Sequence, residues 1–120
     1  MKNILVVDDF PSVRLYHCNL VHHLGYNAIP AASVAEAQSI LAQQPIHLVL
    51  LDLLMPEGDG RELLQRQGPA GSIPYIVVTS ESELYGASNL SQLQAYRVLN
   101  KPVTPRTLRV AIDSALAGAN

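Results

Sequence analysis

Leu48-Val49-Leu50-Leu51-Asp52 is an unbroken aliphatic run closed by a carboxylate. A strand with one wet face alternates polar and apolar residues. A short continuous run ending in a turn-forming group reads instead as a strand buried on both faces of a parallel sheet. Two further runs have this character: Ile4-Leu5-Val6-Val7, closed by Asp8-Asp9, and Tyr75-Ile76-Val77-Val78, closed by Thr79-Ser80. Asn27-Ala28-Ile29 and Arg97-Val98-Leu99 are shorter and complete a set of five, the last leading into Asn100-Lys101-Pro102.

Helix-period segments separate the runs. Pro11 suits a first helical position, Val13, Tyr16, His17, Leu20 and Leu24 fall on one face, and Gly25 supplies a stop, so a helix is predicted from about Pro11 to Leu24. Ser33-Val34-Ala35-Glu36 has capping-box spacing and opens a second helix that buries Ala37, Ile40 and Leu41. A third, around Gly60 to Gln67, stops at Gly68-Pro69. A fourth, around Ser82 to Leu93, contains the poor helix formers Gly86, Ser88 and Asn89. Thr104-Pro105 caps and starts a fifth, with Leu108, Ala111, Ile112 and Ala115 inward and Gly118 at its end. Five alternations of strand and helix, joined by right-handed crossovers, predict an α/β fold: a five-stranded parallel sheet between layers of helices.

The chain's 120 residues fit one domain, 1–120, large enough to bury a core without disulfides or structural metals. Its net charge of −2 and lack of a basic run give no footprint for nucleic acid. One cysteine, Cys18, rules out an internal disulfide and fits a reducing compartment. Met1-Lys2-Asn3 leads into too short an apolar stretch for a signal peptide, and no run approaches the roughly 20 residues of a membrane span. A cytoplasmic location is the expectation.

In a sheet of this kind the functional crevice lies at the carboxyl ends of the strands. Those ends carry Asp8-Asp9, Asp52, Thr79-Ser80 and Asn100-Lys101-Pro102. Closely packed carboxylates repel, and a hard divalent cation relieves them. The oxygen ligands suit Mg²⁺, and no Cys/His set has zinc spacing. A lysine and a hydroxyl beside the carboxylates suit an anion bound at the metal, and one carboxylate can act as a nucleophile toward phosphorus. Each residue alone has an ordinary structural reading as a turn former, helix cap or solvated lysine. Together they supply a nucleophile, metal ligands, a hydroxyl and a cation, which independent caps have no reason to do.

At these residues the chain resembles the receiver domains of bacterial two-component signalling, CheY-like response regulators, over essentially its whole length. The matching pieces are Leu5-Val6-Val7-Asp8-Asp9, Asp52-Leu53-Leu54-Met55-Pro56 with Gly60, Val77-Val78-Thr79-Ser80, and Lys101-Pro102. The resemblance implies a flavodoxin-like three-layer sandwich with strand order 2-1-3-4-5 and five helices. It implies Asp52 as phosphoacceptor, receiving its phosphoryl group from a sensor histidine kinase, a histidine phosphotransfer protein or a small donor such as acetyl phosphate. Asp9, Asp52 and the backbone carbonyl of Leu54 would bind Mg²⁺ directly, with Asp8 acting through metal-bound water. Lys101 would pair with the phosphoryl oxygens, Thr79 would move in to hydrogen-bond them, and the Lys101–Pro102 bond would be cis.

Two departures from the family pattern bear on readout and lifetime. Many receivers carry an aromatic switch residue three positions before the lysine, where this chain has Val98; Tyr96 lies two residues earlier, off the family position. The positions two past the phosphoacceptor and two past the threonine, which influence hydrolysis in the family, hold Leu54 and Glu81. An apolar Leu54 offers nothing to orient an attacking water, which predicts a long-lived phosphoryl group.

The resemblance describes a signalling module that phosphorylates and dephosphorylates itself rather than a turnover enzyme. With no output domain within 120 residues, the expected output is contact with a downstream protein, or the chain is part of a longer regulator. Family members often dimerise through the fourth and fifth helices and fifth strand; a homodimer is allowed, but no charge pattern demands it. A degenerate receiver acting as a phosphorylation-independent interaction module is the alternative, kept open by Val98. A phosphatase of the haloacid dehalogenase type wants a second Asp two residues after the first-strand nucleophile, and Asp8-Asp9-Phe10-Pro11 lacks that spacing. A helical histidine phosphotransfer domain does not fit five apolar strand runs. His17 is expected as a boundary core residue, while His22, His23, His47 and Cys18 carry no sign of a functional role.

Overall fold

The computed structural model describes residues 2–52, 54–55, 58–59, 73–79, 97–101 and 103–118. Strands β1 (Asn3–Val7), β2 (Asn27–Ala31), β3 (Leu48–Asp52), β4 (Tyr75–Thr79) and β5 (Arg97–Asn100) form one parallel sheet in the order β2-β1-β3-β4-β5. This is the expected 2-1-3-4-5 order. The described residues contain three helices, α1 (Pro11–His23), α2 (Val34–Gln43) and α3 (Pro105–Gly118). The helices expected around 60–67 and 82–93 lie outside the described residues, as do Ser80, Glu81, Tyr96 and Pro102, the last with its expected cis bond.

The continuous aliphatic runs fold as strands because each has a core on both sides. Leu5, Val7, Val49, Leu51, Tyr75 and Val77 pack with Ala37 of α2 on one face. Ile4, Val6, Leu48, Leu50, Ile76 and Val78 pack with Val21 of α1 and with Leu108, Ala111, Ile112 and Ala115 of α3 on the other. Alternate residues of one run thus serve opposite layers, which fixes the register: a one-residue slip would exchange every side chain between the two cores. Tyr75 is the chemical exception. Its hydroxyl is buried without a hydrogen-bond partner among the described residues, and burial pushes its pKa up to about 12.

The helix ends follow the sequence signals. Ser33 caps α2, its hydroxyl accepting the Glu36 N–H at 3.1 Å, and Thr104 caps α3, accepting the Thr107 N–H at 3.2 Å. Gly25, at φ +97°, takes the left-handed turn that ends α1. The inward stripe of α1 differs from expectation at two positions: Val21, which was not placed on that face, is fully buried, and Tyr16 is not. His17 and Val21 are buried, whereas Tyr16 is 44% exposed, because it lies at the edge of the stripe and reaches sideways with its hydroxyl rather than inward with its ring. Ile40 and Leu41 of α2 are partly buried against the core, and Leu116 extends the buried face of α3.

At the opposite end of the sheet, His47 has a structural task. Its Nδ1 accepts the Asn3 backbone N–H at 2.9 Å while the His47 backbone N–H donates to the Asn3 carbonyl at 2.9 Å, tying the entry of β3 to β1.

Candidate functional site

The strand register assembles the carboxyl-end groups. Val7 pairs with Leu51, so Asp8, the next residue of β1, comes level with Asp52, the last of β3. Asp52 pairs with Val78, and Thr79 with Asn100, so Lys101 follows immediately beyond β5. Asp8, Asp9 and Asp52 each offer an oxygen within 4.8 Å of the other two. Lys101 Nζ stands 3.3 Å from Asp52 Oδ1. Asp8, Asp9, Asp52 and Lys101 are therefore brought together from three strand ends. Thr79 is at the predicted strand end, and Val98 lies beside Val77 in the register; for both, as for Leu54, the backbone alone is described.

Leu54 belongs to a short antiparallel pair directly after Asp52, Leu54–Met55 against Gly58–Asp59, with Leu54 opposite Asp59. This pairing turns the chain back just past the phosphoacceptor candidate.

Asp8 and Asp52 are almost fully buried, at 1% and 5% exposure. Like-charged oxygens this close repel by on the order of 3 kcal/mol per ionised pair at an effective dielectric constant of about 20. Burial raises the Asp8 pKa, against the opposing pull of its hydrogen bond from the Phe10 N–H and the field of Lys101. Asp8 Oδ1 accepts that N–H at 3.0 Å, the ordinary turn role expected of an Asp before a helix. Asp8 Oδ2 is buried with no hydrogen-bond partner among the described residues. A buried anionic oxygen left in this state, within 4.8 Å of two more carboxylates, fits a hard cation coordinated by oxygens, and Mg²⁺ suits that donor set.

Helix α1 braces the site in two places that the sequence reading did not single out. Arg14 Nη1 donates to the Asp8 carbonyl at 2.8 Å, and the Tyr16 hydroxyl donates to the Val103 carbonyl at 2.9 Å, two residues after Lys101. The only sequence signal for either is its place in the first turns of a helix that starts at the acidic strand end. His17 is 3% exposed, as expected for a core histidine, and burial, aided by the Lys101 charge, lowers its pKa to about 4.

Comparison with known proteins agrees with this arrangement. The family model described as "Response regulator receiver domain" matches residues 4–113. Among relatives, the probable transcriptional regulator ycf27 of Porphyridium aerugineum is 34% identical over 96% of this chain and 48% of its own length. The chain thus spans about half the length of such relatives. The probable chemotaxis protein CheY of Rhizobium etli is 33% identical over 92% of this chain and 89% of its own length. Among solved structures, a response regulator receiver domain protein from Clostridium thermocellum superposes with a TM-score of 0.88 at 26% identity, covering 98% of this chain and 96% of that one. The response regulator protein TrrA of Thermotoga maritima, solved in complex with Mg²⁺-BeF, gives 0.85 at 28% identity, covering 97% and 100%. With the sheet order, the three clustered aspartates and the lysine at the fifth strand end already in place, these matches establish that the chain belongs to the response regulator receiver domain family of two-component signalling.

Proposed function

We propose that the chain, acting as one receiver unit over residues 1–120, accepts a phosphoryl group on Asp52 from a sensor histidine kinase or a histidine phosphotransfer protein. The output is contact with a downstream protein, with no turnover of a separate substrate. One observation carries this reading: Asp8, Asp9 and Asp52 place oxygens within 4.8 Å of one another while Lys101 Nζ lies 3.3 Å from Asp52 Oδ1. A nucleophile, a cation site and a lysine then share one edge of the sheet.

In the proposed transfer a carboxylate oxygen of Asp52 attacks the phosphorus of a phosphohistidine. The new P–O bond forms as the P–N bond breaks, and the bonding pair leaves with the imidazole. Lys101 exchanges its contact with the carboxylate for the phosphoryl oxygens, and Thr79 donates a hydrogen bond to them. Asp9, Asp52 and the Leu54 carbonyl would hold Mg²⁺, with Asp8 acting through metal-bound water, and that charge would neutralise the phosphoryl oxygens. The Mg²⁺-BeF complex of the similar TrrA supports this choice of ion. The switch position is Val98, so the structural response leaves the site through the segment after Thr79 rather than through rotation of an aromatic ring. The reading places the protein in the cytoplasm, where such donors work; among the described residues no helix is long and apolar enough to cross a membrane.

Incubation with acetyl phosphate and Mg²⁺, followed by intact mass, tests the proposal. A single phosphoryl adduct is expected in the wild type and none in Asp52→Asn. An unmodified wild type with every donor would favour the phosphorylation-independent interaction module instead.

A further inference from the structure

We infer that Tyr16 is a positioning residue for Lys101. The inference rests on the phosphoacceptor reading of Asp52 and adds a residue of α1 to it.

The loop between β5 and α3 carries Lys101, whose ammonium must be held near Asp52 by a long, flexible side chain. A side chain of that kind is aimed largely by where its backbone is fixed. From Asn100, β5 is held by sheet pairing with Thr79; from Thr104 onward, the chain is held by the cap of α3. Between these two anchors, the Tyr16 hydroxyl on the Val103 carbonyl, at 2.9 Å, is the one side-chain hydrogen bond to the backbone among the described residues. It joins positions 87 residues apart in sequence. Val103 itself is buried in the α1–α3 core, so its carbonyl is a fixed point two residues from Lys101.

Core packing does not account for Tyr16. The residue is 44% exposed, and its neighbouring aromatic contact, with His17, is a tilted one at 5.7 Å. What the residue supplies that a smaller or apolar one would not is the hydroxyl on the Lys101 loop. The same helix also donates from Arg14 to the Asp8 carbonyl. Helix α1 therefore ties the acidic end of the site and the cationic end to a single rigid body, and Tyr16 is the tie on the cationic side.

The test compares wild type, Tyr16→Phe, Lys101→Ala and the double variant. It measures adduct formation at saturating acetyl phosphate and Mg²⁺ by timed intact mass, Mg²⁺ affinity by calorimetry, and melting temperature. Tyr16→Phe keeps the ring and removes one hydrogen bond, so a slowing of roughly fivefold is expected, the size of one neutral hydrogen bond. Mg²⁺ affinity should stay at the wild-type value. In the Lys101→Ala background, Tyr16→Phe should produce no further slowing, because the residue it positions is gone. A Tyr16→Phe rate equal to wild type would overturn the inference. So would a slowing that persists undiminished without Lys101, or one accompanied by matching losses of Mg²⁺ affinity and melting temperature, since these describe a general structural role. If the wild type takes no phosphoryl group, the Asp52 reading itself falls; if it does and Tyr16→Phe is normal, only this inference falls.

Discussion

Asp8 combines two tasks that pull against each other. Its Oδ1 closes the turn into α1, and its Oδ2 is left buried beside two other carboxylates. Because the folded state raises its pKa, Asp8 favours the fold below its unfolded pKa, and that contribution is lost as pH rises through the raised folded value. At neutral pH without metal, Asp8→Asn is therefore expected to melt higher than the wild type. With Mg²⁺ the order narrows or reverses, since saturation to 100 times Kd stabilises the wild type by about 2.7 kcal/mol. The same variant should lose roughly 10- to 100-fold in Mg²⁺ affinity, as outer-shell groups do. Thermal melts with and without Mg²⁺ check both; a metal-free Asp8→Asn less stable than wild type would contradict the electrostatic account. Leu54 bears on how long the phosphoryl group lasts. The wild-type phosphoryl group should persist for minutes rather than seconds, and Leu54→Asn should release phosphate several-fold faster by offering a polar group to an attacking water. Release that is unchanged or slower in the variant would remove the argument.

Among the described helices, α1 departs most from its sequence pattern. The periodicity of Val13, His17, Leu20 and Leu24 announced a helix with one buried face, and Gly25 announced its end. Periodicity treats Tyr16 as one more inward apolar residue, and it is silent on hydrogen bonds that span the fold, so the Val103 contact was invisible to it. His17 was legible as a core residue, and the structure adds its consequence. A folded pKa of about 4 against the ordinary 6.5 means that the buried ring stays neutral. Its contribution to stability is complete above pH 6.5 and is lost as pH falls from there toward 4, because the unfolded chain takes up the proton first. A depression of this size is worth up to about 3 kcal/mol. Urea unfolding of His17→Leu should accordingly lose roughly 2 kcal/mol less than the wild type between about pH 7 and pH 4.5. Parallel declines in the two proteins would show that His17 is solvated or partnered.

At the scale of the molecule, the centre of the sheet was readable from hydrophobic runs because β1, β3 and β4 bury residues in a core on each face and need apolar residues on both. The site was readable for a related reason. In a parallel sheet the polar residue that ends each run is delivered to the same edge, so Asp8, Asp9, Asp52 and Lys101 could be grouped before any distance was known. The order of the strands was not derivable from the runs themselves and came from the resemblance; register then decided which ends became neighbours, setting Asp8 level with Asp52. Burial of Asp8 and the bracing by Arg14 and Tyr16 depend on how α1 lies across the strand ends, which no local pattern encodes. We propose that this edge makes Asp52 a phosphoacceptor. Borohydride reduction after acetyl phosphate treatment with Mg²⁺, followed by peptide mapping, reads the modified residue itself, because an acyl phosphate on aspartate is reduced to homoserine. Homoserine is expected at position 52 alone; homoserine elsewhere with Asp52 intact, or its absence from a chain that carries a phosphoryl group, would overturn the proposal.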